Sequence, residues 1–177
     1  MSNNDFEFDN LTAPLHIVKI GAAFLKITAD LKAKLIARDR LPDPEIKSIF
    51  VEEDWTIFFN QEWLDNTNIV DGMYEAFYEV RRAYQCLQVL YKDKGLIPYY
   101  KEDEDKVELW KKELNKIDKK VKVDLSLDIE LDAHAFAYYM MKKLFTVEYP
   151  IQYTDDHKFM DRVNEIDNML HLKQNTL

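Results

Sequence analysis

The side chains best suited to chemistry fall in two short segments of the chain. Glu79 lies in the first segment, and Glu130 and His134 lie in the second, four residues apart. Residues at that spacing face the same side of a helix. Two carboxylates and one imidazole are side chains that can bind a metal ion, so Glu79, Glu130 and His134 are a possible set of metal ligands. Arg82 opposes this interpretation, because a guanidinium stays charged, has no lone pair for a metal and repels Zn²⁺.

Long helices are predicted to carry both segments. Apolar residues recur in each at helical spacing, and Gly95 is a typical stop signal at the end of the first. Earlier in the chain, two runs rich in β-branched and aromatic residues predict a hairpin that turns at Glu52–Asp54. The predicted helices cover residues 15–39, 70–94, 101–120, 128–145 and 155–171, with Thr154 capping the last; the predicted strands cover 46–51 and 55–60, and a short helical or looped piece follows at 62–64.

The length and composition are those of one globular domain. The chain has 177 residues, of which 47% are hydrophobic, with only 3 Gly and 5 Pro, a balance that favours long helices over a turn-rich sandwich or barrel. We expect a flexible arm over residues 1–13, a single domain over 14–171 and a frayed tail over 172–177. The expected fold class is mainly α (α+β), with a short β-hairpin or small sheet beside the helices.

An acidic composition limits the classes of partner. The net charge of −9 and the pI of about 5.0 argue against direct nucleic-acid binding, which depends on Lys and Arg at the phosphates. The same charge suits a protein partner with a basic surface or mimicry of DNA, or it only keeps the protein soluble. The single cysteine, Cys86, excludes an internal disulfide. With no signal-peptide pattern and no apolar run of about 18 residues, we expect a cytoplasmic protein that makes no membrane contact.

The two segments carry motifs in a defined order. The first reads Tyr-Glu-Val-Arg-Arg-Ala-Tyr-Gln over residues 78–85, and the second reads Glu-Leu-Asp-Ala-His-Ala-Phe-Ala over residues 130–137. Together with the preceding helix and hairpin, they resemble a zincin-like metallopeptidase family of Gram-positive bacteria, their phages and mobile elements. In that family the first motif is His-Glu-x-Arg-His-Ala-Tyr-Gln. The second, Glu-x-Asp-Ala-x-Ala-Phe-Ala, supplies a third, acidic metal ligand.

The resemblance implies a zincin-like helical domain that has lost both histidine ligands. Tyr78 and Arg82 stand at the ligand positions, while Glu79 is kept at the position of the carboxylate that polarises zinc-bound water. The resemblance therefore implies a vestigial site of Tyr78, Glu79, Arg82, Glu130 and Asp132, with no catalytic residue, no metal and no cofactor. We expect the Arg82 guanidinium to fill the space of the metal and to pair with Glu130, Glu79 or both. We expect the Tyr78 hydroxyl to donate to a carboxylate or to water.

Plain structural roles are the alternative for the same residues. Glu79 beside two arginines is also typical of a surface ion pair, and Glu130 and Asp132 are also typical of acidic residues in the first turn of a helix. Cys86 is expected to be a small buried apolar residue, and the aromatic residues at helical spacing are expected to belong to the core.

These observations favour a non-catalytic pseudoenzyme that acts as a protein-binding module. The family resemblance suggests a phage or mobile-element inhibitor of a host defence system, of the anti-CRISPR or anti-restriction type. The sequence leaves two alternatives open. One is an active metal-dependent peptidase with an atypical site, for which Glu79, Glu130 and His134 are the ligands. The other is an acidic DNA-mimic inhibitor, which requires carboxylates at phosphate-like spacing on one face.

Overall fold

A computed structural model of the chain describes residues 9–114, 126–150 and 157–172. These residues form helices and a sheet of three strands, which confirms the predicted class of a mainly helical domain with a small sheet. The helices are α1 (Thr12–Phe24), α2 (Gln61–Asn66), α3 (Ile69–Asp93), α4 (Glu104–Leu114), α5 (Asp128–Phe145) and α6 (His157–Leu172), and the strands are β1 (Lys32–Ile36), β2 (Ser48–Val51) and β3 (Thr56–Asn60).

The sheet has β3 in its middle. β1 pairs with β3 in parallel, and β2 pairs with β3 in the antiparallel sense. The β2–β3 pair is the predicted hairpin. Its connection is one short 3-10 turn at Glu52–Asp54, followed by Trp55 in the left-handed conformation (φ 47°). Ile57 and Phe59 of β3 are completely buried, so the central strand contributes directly to the core.

The predicted helix over residues 15–39 is wrong in its second half. α1 ends at Phe24, Lys26 adopts a left-handed conformation (φ 52°), and residues 32–36 form β1 instead. The apolar residues of this segment fit a helical period, but they are too few to distinguish a helix from a buried strand. The backbone of β3 offers hydrogen-bond partners along the whole of β1, and this pairing outweighs the local preference.

The other helix boundaries agree closely with the sequence pattern wherever the structure describes them, except at the start of α1. This helix begins at Thr12, inside the predicted arm of residues 1–13. Asp9 Oδ1 accepts hydrogen bonds there from the N–H groups of Leu11 and Thr12 at 2.9 and 2.7 Å. The predicted cap Thr154, the start of the last helix and the lysine-rich end of the third predicted helix lie outside the described residues.

α3 is the central helix of the domain, and both α1 and α5 pack against it. Gly21 of α1 permits a close approach, since a Cβ atom there would stand 3.1 Å from Val80 Cγ1. With α5, the buried rings of Phe77 and Phe136 meet edge to face, with centroids 6.2 Å apart. The predicted adjacency of the two motif-bearing helices is therefore confirmed, and it brings their functional side chains together.

Candidate functional site

Glu130, in the first turn of α5, is contacted by two side chains of α3. The Tyr78 hydroxyl donates a hydrogen bond to Glu130 Oε2 at 2.5 Å, and Arg82 Nη1 lies 3.8 Å from Glu130 Oε1. That second distance makes an ion pair without a direct hydrogen bond. Arg82 Nη1 donates instead to Gln85 Oε1 at 3.1 Å. The predicted pairing of Arg82 with Glu130 and the predicted bond from Tyr78 to a carboxylate are confirmed, and Glu130 is only 4% exposed.

Glu79 is bound by strand β2 and not by an arginine. Its Oε1 atom lies 2.7 Å from Ser48 Oγ, and its Oε2 atom accepts a hydrogen bond from the N–H group of Phe50 at 3.1 Å. Glu79 is 5% exposed, so the alternative of a surface ion pair is wrong. The Glu79 carboxylate therefore ties α3 to the sheet.

Ser48 stands between two carboxyl groups. Its Oγ atom lies 2.7 Å from Glu79 Oε1 and 2.9 Å from Glu75 Oε1. A hydroxyl has one hydrogen to donate, so the three groups are all satisfied only when one carboxyl carries a proton and donates it to Ser48. Burial, followed by the charge of Glu75, raises the pKa of Glu79 to about 8, and burial raises the pKa of Glu75 as well. The contact therefore favours a protonated carboxyl between α3 and β2.

Tyr78, Arg82 and Glu130 form what we call the first cluster. Asp132 belongs to a second cluster, with Arg81, Gln85 and Arg162, although the sequence motif groups it with Glu130. Its carboxylate accepts hydrogen bonds from Arg81 Nε at 2.7 Å and Nη2 at 3.0 Å, from Arg162 Nη1 at 3.1 Å and from Gln85 Nε2 at 2.7 Å. Burial alone would raise the pKa of Asp132, but the charges of Arg81 and Arg162 lower it to about 2. Asp132 is thus the buried counter-ion of two arginines.

Arg81 is the centre of this second cluster, and the spacing of the motifs alone gives it no role. It is completely buried, donates to Glu102 Oε1 at 2.8 Å, and lies over the rings of Tyr84 and Trp110 at 4.5 and 5.7 Å from their centroids. Its position four residues after the core residue Phe77 is the signal in the sequence for a buried, paired arginine. Arg81 joins α3 to α5 and to the segment that precedes α4.

His134 is held neutral beside the first cluster. Its Nδ1 atom lies 2.8 Å from the Tyr74 hydroxyl, its Nε2 atom is buried without a hydrogen-bond partner, and burial lowers its pKa to about 4. Residues 9–114, 126–150 and 157–172 include no group of three or more His, Cys, Asp or Glu side chains placed to hold a metal ion. The alternative ligand set of Glu79, Glu130 and His134 is therefore not assembled in this part of the chain.

Cys86 follows the clusters along α3 and is buried, as predicted. Burial raises the pKa of its thiol to about 12. A thiol of that kind stays protonated near neutral pH, so Cys86 packs as a small apolar side chain.

Comparison of the chain with protein-family models, with curated proteins and with solved structures finds no match. Among the helices of the described ranges, none combines the length and the hydropathy that a membrane span needs.

The stability of the protein should fall between about pH 6.5 and pH 8 because of Glu79. The pKa of its carboxyl is raised from 4.5 to about 8, so the folded protein keeps a proton that the unfolded chain releases. The free energy of unfolding then falls as the pH rises, by at most about 1.4 kcal/mol per pH unit. The titration of His134 raises the free energy of unfolding with pH between about pH 4 and 6.5, because in that range the unfolded chain binds a proton that the folded protein does not. The fall is therefore clearest above pH 6.5.

Urea denaturation across this pH range measures the effect. Glu79→Gln keeps the shape of a protonated glutamate and removes its titration, so this variant should show a flatter dependence on pH. Glu62→Gln, at an exposed glutamate of α2, is the matched control and should keep the wild-type slope. The same slope in both variants would show that Glu79 is ionised in the folded protein and that its carboxyl does not hold the proton.

Proposed function

We propose that the chain is a non-catalytic binding protein on a zincin-like metallopeptidase scaffold. The supporting observation is the contact that two side chains make with the buried Glu130 carboxylate. Tyr78 donates a hydrogen bond to it and Arg82 forms an ion pair with it, and both stand at histidine positions of the family motif. A catalytic zinc site takes three protein ligands. Arg82 has no lone pair to offer, and burial and the charge of Glu130 keep Tyr78 protonated by raising its pKa.

The replacement of a metal ion by the Arg82 guanidinium is consistent with the electrostatics of the site. An unpaired carboxylate in the protein interior is costly, and in a zinc enzyme the metal supplies the opposing charge. Here the guanidinium of Arg82 supplies positive charge, and the N-terminal end of α5 adds a favourable field at Glu130. The scaffold can therefore keep its buried carboxylate without a metal.

A scaffold of this kind serves by contact and not by chemistry. We infer that its target is a protein in the cytoplasm, with a basic surface that complements the net charge of −9. The motif resemblance favours a phage or mobile-element inhibitor of a host defence system, of the anti-CRISPR or anti-restriction type. In this account the clusters around Glu130 and Asp132 hold the fold together, and the surface makes the contact.

Capture from a bacterial lysate on the immobilised chain tests the binding role. One stoichiometric partner is expected, and its retention should weaken as salt is raised, because exposed charges are screened over a Debye length of about 10 Å at 0.1 M. An unrelated protein of equal net charge is the control for unspecific attraction. Capture that the control reproduces, or retention that salt leaves unchanged, would contradict an acidic interface.

A further inference from the structure

Exposed apolar side chains project from the connection between α3 and α4. α3 is followed by Gly95 in the left-handed conformation (φ 65°), where the chain leaves the helix. Ile97 is 89% exposed, Leu96 53% and Tyr99 44%, the highest values among the large apolar side chains of the described residues. We call residues 95–99 the apolar loop. Apolar surface gathered in one exposed place is typical of an interaction site.

The apolar loop is anchored by buried neighbours. The N–H group of Leu96 donates to the carbonyl of Tyr91 at 2.8 Å. Tyr100, directly after the loop, is 6% exposed, and its carbonyl accepts hydrogen bonds from Tyr84 Oη at 3.3 Å and Gln88 Nε2 at 3.0 Å. The exposed side chains therefore stand on a fixed backbone, which reduces the entropy lost on binding.

A groove of about 780 Å³ opens directly beside the apolar loop, between α4 and α6. Tyr100 and Lys101, the two residues that follow the loop, belong to its lining. Leu109 and Met169 add apolar surface, and Leu109 is 41% exposed. A projecting apolar segment thus lies next to a recess that offers apolar surface, from Leu109 and Met169, among charged side chains.

The apolar loop and the groove differ in charge. Lys94, at the base of the loop, is exposed and forms no ion pair with the described residues. The groove is lined by Asp103 and Asp105, both exposed, and its cations Lys101, Lys106 and Arg162 are each paired with a carboxylate of the same chain. The loop itself has no charged residue, but Lys94 places a positive charge at its base, whereas carboxylates outnumber cations around the groove.

We propose that the occupant of the groove is the apolar loop of a second copy of this chain, in a twofold-symmetric dimer. Twofold symmetry requires a patch that complements itself, and an apolar loop with a cation at its base, beside a recess with an acidic rim, meets that requirement. In the dimer, Ile97 enters the groove near Leu109 of the partner subunit, and Lys94 faces the acidic rim. A loop of five residues and one groove make an interface below the standard of about 800 Å² per partner, so the dimer dissociates on dilution.

Sedimentation equilibrium of the full chain from low to high micromolar concentration tests the dimer. The wild type should show a monomer–dimer equilibrium, and Ile97→Glu should weaken it by about tenfold or more, because a carboxylate would face the acidic rim. Leu144→Glu, at a partly exposed residue of α5 outside the loop and the groove, is the matched control and should associate like the wild type. Far-UV circular dichroism confirms that both variants are folded.

A disulfide locates the contact, because the native cysteine Cys86 is buried and does not compete. An oxidised mixture of Ile97→Cys and Leu109→Cys chains should yield a cross-linked heterodimer, whereas a mixture of Leu144→Cys and Leu109→Cys chains should not. A wild type that stays monomeric at every concentration, or a dimer that Ile97→Glu leaves intact, would overturn the proposal. Binding of the monomer through Ile97 to vesicles of phosphatidylcholine and phosphatidylserine would overturn it as well, in favour of a membrane contact.

Discussion

The Arg81→Ala variant is expected to lose about 3–5 kcal/mol of unfolding free energy, because it breaks a buried ion pair by removing one partner. Arg81 is completely buried and pairs with Asp132 at 2.7 Å and with Glu102 at 2.8 Å. Its loss leaves both carboxylates inside the protein with fewer partners. Arg162 still pairs with Asp132 at 3.1 Å, which favours the lower end of that range.

An exposed arginine in an ion pair is the matched control for this loss. Arg38 pairs with Glu45 at 3.0 Å, but their side chains are 46% and 71% exposed. Arg38→Ala should therefore change the free energy of unfolding by less than about 1 kcal/mol in the same urea titration. If Arg81→Ala also lost less than this, Arg81 would not be the residue that joins α3 to α5.

The Arg82→Ala variant is expected to lose about 3 kcal/mol, and Glu130→Gln is expected to restore part of that loss. Without Arg82, the buried carboxylate of Glu130 keeps, among the described residues, the hydrogen bond from Tyr78 alone. Glu130→Gln then removes the unpaired charge, so the double variant should be more stable than the sum of the single losses predicts. Urea denaturation of the four proteins closes this double-mutant cycle.

Additive losses in the cycle would contradict the account of the first cluster. The 3.8 Å separation of Arg82 and Glu130 makes this a sharp test, because the pair interacts by charge and not through a direct hydrogen bond. Glu130→Gln alone should be mild, since an amide can still accept the hydrogen bond from Tyr78. Strong destabilisation by Glu130→Gln with no rescue of Arg82→Ala would assign the stabilising role to Tyr78 alone.

Long periodic segments made much of the fold predictable from the sequence. The predicted helix at 128–145 agrees with α5 at both ends, and the predicted helix at 70–94 agrees with α3 to within one residue. Each has several turns of regular apolar spacing and a clear end signal. The segment at 32–36 has neither, and its strand exists because β3 lies beside it. A local sequence pattern does not show which distant segments of the chain will pair.

The contacts of the first cluster were predictable in part, and those of the second were predictable only for the burial of Arg81. The motif resemblance placed Tyr78, Arg82 and Glu130 together because all three lie on helix faces that the spacing defines. The contact of Glu79 with Ser48 depends on where the sheet packs, which the spacing does not fix. Of the partners of Arg81, Asp132 lies in the second motif, but Glu102 lies in a charged stretch that resembles an ordinary surface segment.

If Tyr78 and Arg82 occupy the positions of two lost histidine ligands, as proposed, the Tyr78→His/Arg82→His variant should regain a zinc site, and this variant tests the proposal most directly. Histidines at these positions lie one helical turn apart, and Glu130 would complete a set of three ligands. The wild type is expected to hold no stoichiometric zinc and to cleave no peptide. Zinc titration by calorimetry, with elemental analysis of the product, should give one Zn²⁺ per chain for the double variant and none once Glu130→Gln is added. A folded double variant that binds no zinc, or a wild type that carries one zinc per chain, would contradict the account.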